Sequence, residues 1–151
     1  MSKVFKNMPP QQWPDFIVKW DESKANLHYY ADGEDATYIK LNYPHGISIA
    51  DISLVSLDDS LCFTSRQSPS EFWTVGCADK KIEVIEHWVS GGKITPCMVR
   101  PFNGQIFIAG GNHRLAVARV KKEMTVPVLF DTGELDEIKN IIPIFNVRVP
   151  I

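Results

Sequence analysis

Residues Gln105 to Lys122, QIFIAGGNHRLAVARVKK, pass from a short apolar run through two adjacent glycines into a helix-forming run, and this junction limits the fold more than any other stretch. Gln105–Ala109 has the length and the β-branched or aromatic content of a buried strand, while Leu115–Val120 consists mostly of residues that a helix accepts. Gly110 and Gly111 fall at the joint, where a missing Cβ permits a sharp turn and lets another group approach the backbone. Asn112 reads as the N-cap of the helix that follows. A strand, turn and helix in this order aim the first-turn N–H groups and the positive end of the helix dipole at one point, which attracts phosphate or carboxylate. His113 and Arg114 add side-chain donors beside them, so Gly110, Gly111, Asn112, His113 and Arg114 form the candidate anion-binding loop.

The charge distribution points the same way. Between Glu86 and Glu123 lie six basic residues, Lys93, Arg100, Arg114, Arg119, Lys121 and Lys122, and no acid, although the formal net charge of the chain is -2. A local positive field in a weakly acidic protein is expected. With 151 residues and 44% hydrophobic composition, the chain can bury one proper core, and a single domain is expected. The stretch MSKVFKNMPP lacks an apolar signal-like run, and no segment approaches the ~20 apolar residues that a membrane span needs, so no membrane association and a cytoplasmic location are expected. Cys62, Cys77 and Cys97 are odd in number and have no C-x-x-C spacing, which argues for reduced packing thiols over a disulfide framework or a zinc site.

Along the chain, residues 1–43 read as an N-terminal extension packed on the core and residues 44–151 as the main domain. The extension sets Trp13, Phe16, Trp20, Tyr29, Tyr30, Tyr38 and Tyr43 among acidic residues, too apolar for a disordered tail. Short strands are expected at 16–20, 27–30 and 37–41, with a turn at Ala31-Asp32-Gly33. Its aromatics either complete the core or form the surface for a homodimer or protein partner. Further on, the pattern predicts a strand at 47–52, a loop over 53–70 and a helix over 78–89. A hairpin follows, from 97–102 and 105–109 around Asn103-Gly104, then a helix at 115–120, a strand at 125–130 and a short helix over 134–140. The fold class is α/β or α+β: a small mixed sheet with flanking helices.

The segment GGNHRLAVARVKKEMTVPVLF resembles the signature of the ParB/sulfiredoxin-like superfamily. Such domains run from a helix ending in Gly through a Pro-led strand, a hairpin, the motif G-x-H/R-R and a helix to a strand containing Val-Pro. Here those parts are Ile82–Val89 with Gly91-Gly92, Pro96–Phe102, Asn103-Gly104, Gly111-Asn112-His113-Arg114 and Val126-Pro127. The likeness covers about residues 47 to 130 and is dense from Lys93 onward. Asn112 stands where sulfiredoxin has its nucleophilic cysteine, and an amide cannot replace a thiolate, so sulfiredoxin chemistry is not expected. The residues after Asp131 are too few for the helix-turn-helix that partitioning ParB proteins use on DNA.

The resemblance implies binding of ATP or CTP with Mg²⁺, with or without hydrolysis or phosphoryl transfer. His113 is the candidate acid–base group and Arg114 its charged companion. Arg66, on the loop where related domains supply an arginine, and Lys93, after Gly91-Gly92, are further candidate anion ligands. Asp51, Asp58, Asp59 and Glu71 are the carboxylates that a catalyst could call on, with Asp58-Asp59 better read as a solvated pair. His28, His45 and His87 have no ligand spacing, and His87 reads as structural; no metal ligands are assigned. Two other functions remain open: a ParB-like nuclease or nucleic-acid-binding protein using the basic run, and a non-catalytic binding or inhibitory protein acting on a protein partner through the N-terminal aromatics.

Overall fold

In a computed structural model, residues 5–31, 35–62, 65–66 and 69–151 are described, which leaves the expected turn at Ala31-Asp32-Gly33 largely outside the described residues. Five strands form one mixed sheet: β1 (Ile47–Ser53), β2 (Cys97–Phe102), β3 (Gln105–Gly110), β4 (Thr125–Asp131) and β5 (Phe145–Arg148), in the order β3-β2-β4-β1-β5. The β2–β4 pair is parallel and the other pairs are antiparallel. The helices are α1 (Ala36–Asn42), α2 (Leu54–Ser60), α3 (Ala78–Val89), α4 (Asn112–Val120) and α5 (Leu135–Ile141).

Alternation along the central strands sorts their side chains between two hydrophobic layers. Ala50, Ile52, Cys97, Val99, Val126, Val128 and Phe130 join Leu54, Leu57, Leu115 and Ile138 of the helices on one face. On the other, Ile47, Ile49, Met98 and Leu129 meet Leu27, Tyr30 and Tyr43 of the N-terminal part. A third cluster gathers Phe5, Trp13 and Phe72 with Ile82, Ile85 and Trp88 of α3, where Trp88 Nε1 donates to Lys19 O at 2.7 Å. Trp13, Tyr30 and Tyr43 therefore complete apolar cores, with Phe16, Trp20 and Tyr38 packed against them, whereas Tyr29 stays exposed. Among the described residues, no helix is long and apolar enough to cross a membrane.

The mixed sheet and its flanking helices match the expected fold class. Helix α3 occupies Ala78–Val89 and is followed, after its C-cap Ser90, by Gly91, whose φ is +88°. The hairpin turns on Asn103 and Gly104, both at positive φ (50° and 76°), as an Asn-Gly type I′ turn requires. The N-terminal strands do not form. Residues 24–30 make a 3-10 helix, α1 covers 36–42 in place of a strand, and the 16–20 region contributes one isolated bridge, Trp20 to Ile94. Aromatic β-propensity is overridden at α1 by a cap: the Asp35 carboxylate accepts from the Thr37 and Tyr38 amides. The expected loop after β1 also holds a helix, α2, capped by Ser53 Oγ accepting from Ser56 N and burying Leu54 and Leu57.

Candidate functional site

Helix α4 begins one residue earlier than its cap signal suggests. Gly111, at φ +94°, is the N-cap, and Asn112 is the first helical residue. Positive φ favours glycine, so the break must fall there. A Cβ on Gly111 would lie 2.8 Å from Cys97 Cα and Cβ, and one on Gly110 would lie 2.4 Å from Tyr30 O. The two glycines thus let the turn lie against β2 on one side and the N-terminal 3-10 helix on the other. A glycine has no side chain with which to cap, and the first intrahelical bond runs from Leu115 N to Gly111 O at 3.3 Å.

A cavity of about 830 Å³ opens at this helix end, and Gly110, Gly111, Asn112, His113, Arg114 and Lys93 all line it. Arg114 is a strut of the wall: it donates from Nη1 to Thr95 O at 2.7 Å and from Nη2 to Tyr29 O at 3.1 Å. These bonds tie the 3-10 helix to the residues leading into β2. His113 Nε2 accepts from Cys77 N at 3.4 Å, which fixes the imidazole against the start of α3. Asn112 Oδ1 is buried with no hydrogen-bond partner among the described residues. Arg66 is not brought to the other candidates: it is exposed, donates from Nε to Leu61 O at 2.8 Å, and is not among the described residues lining the cavity.

Sequence reasoning missed the opposite wall. Lys80, Glu83, Val84 and His87 of α3 face the cavity, a stripe at i, i+3, i+4 and i+7 that helical periodicity marks as one face. The N-terminal part adds Asp21, Asn26 and Tyr29, for which no local sequence signal exists. Burial pushes the Asp21 carboxyl up, but hydrogen bonds from Ser23 and Asn26, helped by the charge of Lys93, leave it below the ordinary carboxylate value. His87 Nε2 sits 2.9 Å from Lys93 O, pinning the loop after α3. Among the described lining residues, three cations, Lys80, Lys93 and Arg114, thus face two carboxylates, Asp21 and Glu83.

The wider basic run does not act as a strip. Arg100 makes a two-pronged pair with Glu134, at 2.9 Å from both Nε and Nη2, and Arg119 Nε bonds the Asp58 carboxylate at 2.9 Å. Lys121 Nζ lies 4.3 Å from the centroid of the Phe16 ring. Folding pairs charges that are distant in sequence, so the field expected from the bare residue order is broken up. Two of the four candidate carboxylates are likewise engaged: Asp58 by Arg119, and Asp51 by Arg148 and Asn146. Among the described residues, no group of three or more His, Cys, Asp or Glu side chains is placed to hold a metal ion.

The cysteines divide. All three are free thiols; Cys97 is fully buried, and burial pushes its pKa up to about 12, so it is an inert packing residue. Cys62 is half-buried, but Cys77 is exposed at the N-cap of α3, not the packing residue that composition suggests. No family model, curated protein or solved structure matches this chain.

Proposed function

We propose that the chain binds a nucleotide, or another phosphate-bearing anion, in the cavity at the N-terminus of α4. The observation that carries this reading is the convergence on one open cleft of a glycine-capped helix end, Lys80, Lys93 and two histidines. At about 830 Å³ the cavity suits a ligand of nucleotide size. Tyr29, 58% exposed on its wall, offers a ring on which a base can stack. The resemblance of Gly111–Arg114 to a phosphate-binding motif supports the same ligand class. Mg²⁺ bound to nucleotides takes one or two protein carboxylates plus phosphate oxygens. Of the two lining carboxylates, Asp21 already accepts three hydrogen bonds from Ser23 and Asn26, so Glu83 is the one suited to that ion. His113 is the group positioned to move a proton if the bound phosphate is transferred or hydrolysed.

A thermal-shift panel with ATP, CTP, GTP and tripolyphosphate, each with and without Mg²⁺, tests the reading. Ligand bound at a hundred times its Kd stabilises the fold by about 2.7 kcal/mol. Lys93→Met and Lys80→Met should shrink the shift and leave the unliganded protein folded, since both side chains are exposed. No shift with any phosphate, at any magnesium concentration, would remove the proposal. Extended nucleic acid is the weaker reading, because the acid pairs of Arg100 and Arg119 interrupt the basic run that would track a backbone.

A further inference from the structure

A second cavity, of about 620 Å³, shares the N-terminal 3-10 helix with the first, and takes Lys24, Leu27 and His28 where the first takes Asn26, Tyr29 and Tyr30. Its floor is apolar. Leu27, Tyr43 and Ile47 are buried at 4%, 4% and 6% exposure, with Ile39 packed against them. The polar atoms of that floor satisfy one another: Tyr43 Oη bonds Tyr30 Oη and Ser48 Oγ bonds Thr132 Oγ1, each at 2.7 Å. Ligand polarity is therefore left to the rim.

The rim is cationic. Lys24, Lys40 and His45 are exposed there, His28 is half-buried beside them, and no described lining residue is a carboxylate. Lys24 and Lys40 are thus the charged side chains among the described lining residues, and both are cations. Lysine stems extend an apolar wall while their ammonium groups stay in water. An inorganic anion would leave the floor wet, and a neutral hydrocarbon would leave the ammonium groups unused. Only a ligand with an apolar body and a negative end uses both.

We propose that this cavity binds a medium-chain fatty acid, its alkyl chain over Leu27, Ile39 and Ile47 and its carboxylate at Lys24 and Lys40. The site is separate from the α4 cavity and does not depend on what that cavity holds.

Isothermal titration of the full chain with octanoate, 1-octanol and acetate tests it. Octanoate should bind saturably at one site, 1-octanol about tenfold more weakly for want of a charged head, and acetate not measurably. The Lys24→Met/Lys40→Met double variant should lose about tenfold for octanoate and nothing for 1-octanol. Ile39→Glu should abolish binding of both; if that variant does not fold, the lysine pair decides alone. Absence of saturable octanoate binding overturns the proposal, as do equal affinities for acid and alcohol, indifference to the lysines, or competition between octanoate and tripolyphosphate.

Discussion

Replacing Gly111 by Ala should destabilise the protein far more than the same change at Gly91, although both glycines have nearly the same backbone conformation, with φ of +94° and +88°. A non-glycine residue in that left-handed region costs about 1–2 kcal/mol. At Gly91 nothing lies within 4 Å of the new methyl, so this strain is the whole effect. At Gly111 the methyl would meet Cys97 Cα and Cβ at 2.8 Å, and Cys97 lies in a central strand that cannot give way. Overpacking of that kind adds about 1–3 kcal/mol, for a total of about 2–5 kcal/mol. At about 2–4 °C per kcal/mol for a chain of this size, Gly111→Ala should melt about 4–20 °C lower and Gly91→Ala about 2–8 °C lower. Circular-dichroism melts, with urea titrations to confirm an unchanged m-value, provide the comparison. Equal losses at the two sites would refute the claim that the turn lies hard against β2.

Gly110→Ala should push on Tyr30 O, 2.4 Å from the new methyl, and speed hydrogen exchange at Ala31 N, which bonds His28 O, before it affects the hairpin. Arg119 is buried, with 8% exposure, and its Nη1 and Nη2 have no hydrogen-bond partner among the described residues. Arg119→Met should therefore fall within about 1 kcal/mol of wild type or above it, whereas Asp58→Ala, which strands the guanidinium, should cost about 2 kcal/mol or more in urea unfolding. Because the Asp21 carboxyl is held below its ordinary value of 3.8, its contribution is present above that pH and lost as pH falls through the lowered value. The stability gap between wild type and Asp21→Asn should accordingly be constant near neutrality and close in acid.

The elements legible in the sequence were those specified locally. Asn103-Gly104 demands a hairpin by itself, and α3 carries its own apolar stripe and terminal glycine. Helix α2 stands where the sequence pattern predicts a loop: its Asp and Ser content imitates one, although Leu54, Leu57 and Leu61 recur at helical spacing behind the Ser53 cap. The tyrosines of 24–43 misled because their β-propensity is a preference for half-buried surfaces, and here 3-10 and α-helical turns provide those surfaces. For the site, the glycine turn was readable and its surroundings were not. That Arg114 would brace Tyr29 O and Thr95 O, or that Arg100 and Arg119 would meet Glu134 and Asp58, depends on contacts across 85, 19, 34 and 61 residues. No short window contains such pairings.

The most direct test of the nucleotide-site proposal is an amide chemical-shift titration of the ¹⁵N-labelled protein with tripolyphosphate and then ATP. The account predicts saturable shifts at Gly111, Asn112 and His113, at the N-terminus of α4, with little change at the hairpin turn of Asn103 and Gly104. Shifts confined to Lys121 and Lys122 at the other end of the helix, or none anywhere, would contradict it.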